Sequence, residues 1–323
     1  MRALAFVGRH ATKFMAGGVL VGFVAPPLAA LARPLLVPAL VIPLALALIR
    51  LDWSAIAASR RRPGLIAALL VWILGVSPLV VWAVTTPATA LGLPAALREA
   101  LILMAASSPI VSSVAIALFV GLDAALAIVA VVFATALVPL TLPPLALALL
   151  GVELEISVPA FMGRLAALVG SAFVAAWVIR RLVRPAALAA RRDLIDGLAV
   201  VNLVVFAIAI MDGVTAFALE RPGYAALAVA LAFVFNIALQ AAGWIAFRRF
   251  GAVTALTAGL VSGNCNMGLV LVALSGHADV EVTAFFALAQ LPMYMLPWVL
   301  EPLYRRLRAG AGDAPSRERP RSR

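Results

Sequence analysis

Two short polar runs interrupt a sequence that is otherwise apolar. The first is Ser107-Ser108-Pro109-Ile110-Val111-Ser112-Ser113 and the second is Ser262-Gly263-Asn264-Cys265-Asn266. Inside lipid an unpaired backbone amide or carbonyl is so costly that non-helical backbone survives only against protein or a water-filled cavity. Each run should therefore stop one half-helix and start another. Carbonyls ending a first half suit a cation, and N–H groups opening a second half suit an anion. On this reading residues 105–108 and 260–263 offer carbonyls, while Ser112, Ser113 and residues 266–268 offer donors. Pro109 has no N–H and pushes Ser108 out of the helical region, which enforces the first break. Gly263 supplies backbone freedom at the second. The side chains of Ser107, Ser108, Ser112, Ser113, Ser262, Asn264 and Asn266 add caps or ligands. The competing explanation is helix packing, because Ser and Gly are common where membrane helices touch. Two clustered breaks at like positions favour a binding site, the pattern of a transporter with discontinuous helices.

Other polar residues fall within apolar segments: Thr135, Thr141, Asn202, Asn236, Gln240 and Gln290. Asn236 and Gln240 are four apart and share one helix face, expected to look toward the breaks; Gln290 joins them as a candidate. Asp212 is the one carboxylate expected well inside a span. An intramembrane ionisable group is a candidate for coupling, although its place beside Gly213 also suits headgroup depth. Cys265 is the single cysteine, so no intramolecular disulfide forms, and a soft-metal site would want more thiolates. His10 and His277 lack metal-ligand spacing. Phosphate-binding loops, nucleophile elbows and paired carboxylates do not occur, so neither an enzyme nor a cofactor is expected.

The elements that must hold these residues follow from composition. The chain has 323 residues, 65% hydrophobic and 12% charged, too little charge to cover a soluble surface. Apolar runs recur near the roughly 20 residues needed to cross a bilayer. An all-α polytopic membrane protein is predicted, with spans at about 14–32, 35–50, 64–85, 97–119, 123–150, 160–180, 197–218, 223–247, 252–276 and 281–303. Turns are expected at Arg33-Pro34, Arg62-Pro63-Gly64, Gly92-Leu93-Pro94 and Arg221-Pro222-Gly223. The first span resembles a signal peptide, but the topology needs it as a span. Net charge is +11; the arginines sit between spans, which points to topology and not to nucleic acid. With both termini cytoplasmic, 21 Lys and Arg fall inside and 4 (Arg33, Arg98, Arg164 and Arg221) outside, as the positive-inside rule requires.

Five spans precede the loop near residues 151–159 and five follow, so the halves enter from opposite faces. The breaks fall in the fourth span of each, with Ser108 and Asn264 separated by 156 residues. The domain reading is 1–155 for one five-helix repeat, 156–304 for its inverted partner, and 305–323 for a basic cytoplasmic tail near anionic headgroups.

With these residues in view, the chain resembles the bile acid:sodium symporter family. One stretch runs from Ala106-Ser107-Ser108-Pro109 through Asp123 to Val138-Pro139-Leu140-Thr141-Leu142-Pro143. It is similar to the family's broken fourth helix and a fifth helix ending in a Pro-rich turn. Gly263-Asn264-Cys265-Asn266-Met267-Gly268-Leu269 is similar to its ninth-helix crossing, and Phe235-Asn236 to its eighth-helix His-Asn. The resemblance implies ten helices in two inverted five-helix repeats, with broken helices 4 and 9 crossing at ion sites. A core of spans 3–5 and 8–10 and a panel of spans 1, 2, 6 and 7 are implied, with an organic anion between them and transport by alternating access. The family's sodium ligands are largely replaced. Its ninth-helix Glu and Gln fall on Val261 and Cys265, its fourth-helix Ser-Asn on Val114 and Ala115, and its fifth-helix Ser and Thr on Ala127 and Val131.

The expected function is a secondary transporter of a small organic, anionic solute. Sodium is the ion at issue, and uncoupled transport, proton coupling or a degenerate transporter are open alternatives. Efflux of an inorganic oxyanion or metalloid is a second reading, and a non-transporting sensor or partner subunit a third. The expected partners are the solute and the lipid bilayer, and the expected location is a bacterial inner membrane.

Overall fold

A computed structural model describes residues 11–49, 62–151 and 156–310. Arg2, Arg9, Arg50, Arg60, Arg61, residues 152–155 of the loop near 151–159 and the tail beyond 310 lie outside the described residues, as does the side chain of Lys13. Among the described residues the structure is helical throughout, with one isolated β-bridge. Among the described residues, seven helical runs are long and apolar enough to cross a membrane: Pro26–Ile49, Pro63–Thr89, Ala124–Leu150, Val158–Leu182, Leu194–Glu220, Pro222–Phe250 and Val280–Val299. Apolar side chains such as Val24, Leu31, Leu91 and Leu182 stand on the outside, which is how a lipid-facing surface differs from a water-facing one.

The other predicted spans, the first, fourth and ninth, are short or interrupted. In the first, α1 (Ala11–Val24) ends at Ala25, and α2 (Pro26–Ala32) leads through a 3₁₀ turn (Arg33–Leu35) into α3 (Leu36–Ile49). The expected turn at Arg33-Pro34 is thus helical, and the break lies eight residues earlier. The cause is Pro26-Pro27, which disfavours helix at Ala25 and then fits the first turn of α2, where N–H groups have no partner to lose.

The third span is α4 (Pro63–Val71), a π-turn (Trp72–Val76) and α5 (Ser77–Thr89). Pro78 cannot donate to the preceding turn, and the wider turn upstream absorbs that mismatch. The fourth is broken into α6 (Ala95–Ala106) and α7 (Ser112–Val120), and the fifth is α8 (Ala124–Leu150). Asp123 caps α8 by accepting from the Leu126 amide at 2.9 Å. The Pro-rich turn expected to end this helix is absent: α8 runs through Pro139, Pro143 and Pro144, which membrane helices tolerate when neighbours satisfy the freed carbonyls.

The second half holds α9 (Val158–Leu182), α10 (Pro185–Ala190), α11 (Arg192–Ala209) and α12 (Val214–Glu220). It continues with α13 (Pro222–Phe247), α14 (Ala252–Gly263) and α15 (Met267–Ala273), then α16 (Val280–Leu288), α17 (Gln290–Val299) and α18 (Glu301–Gly310). The seventh span therefore turns at residues 210–213, where Gly213 has φ +78°. Helix α13 packs along α14, α11 lies against α1 and α3, and α9 lies against α3 and α8. One large apolar cluster fills the centre, and a smaller one joins α3 to α9 through Leu44, Leu48 and Ala172.

Candidate functional site

The two breaks meet. Helix α6 stops at Ala106 and Ser107 is extended (φ −78°, ψ 162°); α14 stops at Gly263 and α15 begins at Met267. Pro109 and Cys265 face each other in an antiparallel bridge. The Ile110 amide donates to the Asn264 carbonyl at 2.7 Å, and the Asn266 amide donates to the Ser108 carbonyl at 2.7 Å. In this kind of pair the flanking residues carry the hydrogen bonds, so Pro109 sits where no N–H is needed.

A second layer clamps the crossing. Asn236 Nδ2 donates to the Gly263 carbonyl at 2.8 Å, Gln240 Nε2 to Asn236 Oδ1 at 2.6 Å, and the Tyr304 hydroxyl to Gln240 Oε1 at 2.6 Å. The shared face expected of Asn236 and Gln240 does look toward the second break. Gly263 has a different role from the one expected. Its φ is not positive, and a Cβ there would lie 2.3 Å from Gln240 Cγ and 2.6 Å from the Asn236 carbonyl oxygen. Close approach of α13 demands this glycine. Gly243 and Gly259 serve the same contact, with Ser262 Oγ and the Gln240 carbonyl each 2.5 Å from the Cβ position. Small residues four apart at a helix seam are a packing device in membranes, so packing and site share the same residues.

Much of the backbone expected to face a ligand is already engaged. The Leu260 carbonyl accepts from Asn264 Nδ2 at 2.8 Å, the Ser108 and Gly263 carbonyls are used as above, and the Ser113 amide donates to the Ile110 carbonyl at 3.0 Å. What is left over is side-chain oxygen. Ser108 Oγ, Ser113 Oγ and Asn264 Oδ1 are buried without a hydrogen-bond partner, as is Thr135 Oγ1 on α8, which packs against both α6 and α7. Ser108, Ser113 and Asn264 have no accessible surface. A buried polar atom left unpaired costs about 1–3 kcal/mol, so such a concentration calls for an explanation.

The remaining candidates divide. Asn266 caps α15 by accepting from the Leu269 amide at 3.3 Å. Ser107 donates to the Met104 carbonyl at 2.8 Å, and the Cys265 thiol lies 3.4 Å from the Ser262 carbonyl. Ser262 donates to the Ala258 carbonyl at 2.6 Å and accepts from Trp72 Nε1 at 2.9 Å, which ties the second break to the π-turn. Ser112 is half-buried at the start of α7. Gln290 lies on α17 and donates to the Phe286 carbonyl at 3.1 Å, with its Oε1 buried and unpartnered. Thr141 and Asn202 turn back to the carbonyls of Leu137 and Leu198 on their own helices. Asp212 is away from the crossing, at the turn between α11 and α12, in an ion pair with the exposed Arg33 at 3.1 Å.

Two participants in the site, and one buried carboxylate elsewhere on α6, escaped the sequence reading. Trp72 gave no polar signal. Tyr304 falls between the last predicted span (281–303) and the basic tail (305–323). Glu99, close to the end of a predicted span, is buried on α6 at 8% exposure.

Long apolar helices arranged around a buried polar crossing define an integral membrane protein with discontinuous helices. The family model described as the Sodium Bile acid symporter family matches residues 37–220. This is more than half the chain, and the chain belongs to that family, whose members are transporters. No curated protein matches it. The matched segment contains the first break; the second lies beyond it and is joined to it by the Pro109–Cys265 bridge.

Proposed function

We propose that this protein is a secondary active transporter that moves a small organic anion across a bacterial inner membrane by alternating access. The observation that carries the reading is the sealed crossing, where Ser108, Ser113 and Asn264 keep buried oxygens without partners. Their cost is offset if a cation or solute polar group occupies the crossing during part of the cycle. Residues 107–113 and 262–266, with Asn236 and Gln240 behind them, form the proposed binding region.

The proposed architecture is ten spans in two inverted repeats, 1–155 and 156–304, with a basic tail and both termini in the cytoplasm. The symmetry of the crossing supports it. Helices α6 and α14, which lead into the breaks, are each 12 residues long. The two breaks also exchange one hydrogen bond in each direction about Pro109 and Cys265, as elements related by a two-fold axis would. The interface proposed to move lies where Phe206 of α11 covers Gly268 of α15; a Cβ on Gly268 would stand 2.4 Å from the Phe206 ring.

Sodium is the coupling ion this family suggests. A hard cation takes oxygen ligands, and the orphaned oxygens at the crossing are all neutral. Ser108, Ser113, Thr135 and Asn264 would supply hydroxyl and amide oxygen where the family's Glu is replaced by Val261.

The test is uptake of a panel of radiolabelled organic acids into proteoliposomes, under an inward sodium gradient and under an equal choline gradient. Uptake that Asn264→Ala abolishes in both gradients supports the site, and a sodium-specific stimulation supports the ion. Uptake that is unchanged in Asn264→Ala removes the crossing from the transport pathway. No flux of any acid under either gradient rejects the transporter reading.

A further inference from the structure

A groove runs along the seam between α8 and α9, away from the crossing. At one end is a cavity of about 500 Å³ lined by Leu48, Val132, Phe173, Trp177 and Arg180. Next to it is a second of about 330 Å³ lined by Pro139, Leu140, Ala166, Gly170 and Phe173. Phe173 lines both, so the two cavities adjoin along the same seam. Both volumes fall within or near the roughly 300–1,000 Å³ usual for small-molecule sites.

The sequence of α9 explains the shape. Ala166, Gly170, Phe173, Trp177 and Arg180 recur at spacings of four and three, which places them on one helix face. Two of the five are Ala and Gly, so the face is hollow where they stand. A Cβ on Gly170 would meet nothing within 4 Å. On α8, Val132, Ala136 and Leu140 are four apart and form the opposite wall. Fourteen residues separate Ala166 from Arg180, about 21 Å of helix. One leaflet of hydrocarbon is about 15 Å deep. The groove is therefore long enough for the full depth of one acyl chain.

Its chemistry changes at one end only. The walls are apolar up to Arg180, whose Nη1 donates to the Ile49 carbonyl at 2.8 Å. A guanidinium has five N–H donors in a planar fork that matches phosphate. Arg181 adds a second cation, its guanidinium 5.7 Å from the centre of the Trp177 ring. Trp177 and Val174 are 61% and 59% exposed, so the groove opens sideways onto lipid and not into the crossing. Apolar walls of chain length with Arg180 at one end and Arg181 beside Trp177 match a lipid whose charge is at one end.

We propose that this groove is a specific site for one anionic phospholipid, with an acyl chain lying between α8 and α9 and its phosphate on Arg180. The bound lipid fills the seam between a helix of the first half and a helix of the second. The assignment does not depend on the solute or on transport.

Native mass spectrometry of the purified full chain tests it, with the protein released from uncharged detergent in equal amounts of phosphatidylglycerol and phosphatidylcholine. The expected result is one retained phosphatidylglycerol, preferred by about five-fold, the effect of one arginine near an anionic headgroup. Arg180→Gln removes the preference, and Arg180→Lys keeps part of it. Gly170→Leu, which fills the groove, removes the retained lipid while the melting temperature in detergent stays near that of the native chain. If Gly170→Leu does not fold, the Arg180 variants decide. Equal retention of the two lipids by the native chain overturns the proposal, as does an undiminished preference in Arg180→Gln. Retention of a free long-chain carboxylate with no phosphatidylglycerol also overturns it, because that occupant would be a solute. Failure of uptake assays leaves this result untouched, since binding is read without flux.

Discussion

The Tyr304 hydroxyl donates to Gln240 Oε1 at 2.6 Å, although the two residues are 64 apart and Tyr304 belongs to the helix that leads into the basic tail. Through Gln240 and Asn236 this contact reaches the carbonyl of Gly263, the last residue before the second break. Three hydrogen bonds in series thus connect the end of the described chain to the crossing. The same final helix also reaches the first half, where Arg308 Nη1 donates to the Gly121 carbonyl at 3.0 Å.

Tyr304→Phe should destabilise the protein by about 1–3 kcal/mol, because it leaves the buried Gln240 oxygen unpaired. Gln240→Leu breaks the same series from the other side. The double variant should therefore lose less than the sum of the two single losses. Thermal unfolding in detergent of all four proteins measures the coupling, and strict additivity would show that the contact carries no energy.

Gly263→Ala should cost about 1–3 kcal/mol through overpacking and should remove uptake, since α13 cannot close on α14. The control is Gly163→Ala on α9, where a Cβ meets nothing within 4 Å. That change should be neutral or stabilising by up to about 1 kcal/mol. Equal behaviour of the two alanines in melting experiments would contradict the close-approach argument.

Asn264 and Asn266 should separate function from stability. Asn266→Ala removes the cap of α15 and should lower stability by about 1 kcal/mol, whereas Asn266→Asp keeps the acceptor. Asn264→Ala loses one hydrogen bond, from Nδ2 to the Leu260 carbonyl, while Oδ1 has no partner to lose, so it should melt within about 1.5 kcal/mol of the native chain while uptake disappears. Uptake and melting measured on the same preparations decide this.

Asp212→Asn should leave uptake within about two-fold of the native rate and change stability by less than about 1 kcal/mol, because its partner Arg33 is exposed and such pairs contribute little. A loss of uptake greater than ten-fold (a cost of about 1.4 kcal/mol or more in the rate-limiting barrier) would instead make Asp212 a coupling carboxylate.

What the sequence determined is what local chemistry controls. Apolar length and low charge required membrane helices, and Pro109 with its flanking serines required the first break, because a residue before proline avoids the helix whatever surrounds it. The spacing of Asn236 and Gln240 placed both on one face for the same kind of reason. Other local signals act in the same way: Pro26-Pro27 ends α1 early, and Pro78 sets the π-turn. Only the tertiary structure decided that the two breaks, 156 residues apart in sequence, pair through Ile110 and Asn264 and through Asn266 and Ser108. It alone decided that Gly263 is small to admit α13, that Trp72 engages Ser262, and that Tyr304 closes the series behind Asn236. Hydrogen bonds between distant segments are chosen by packing, and packing also selects which oxygens are satisfied and which stay free. Ser107 and Ser108 are adjacent and identical in type, yet Ser107 bonds its own helix and Ser108 is left with a buried, unpartnered hydroxyl. No property of either residue distinguishes them; their surroundings do.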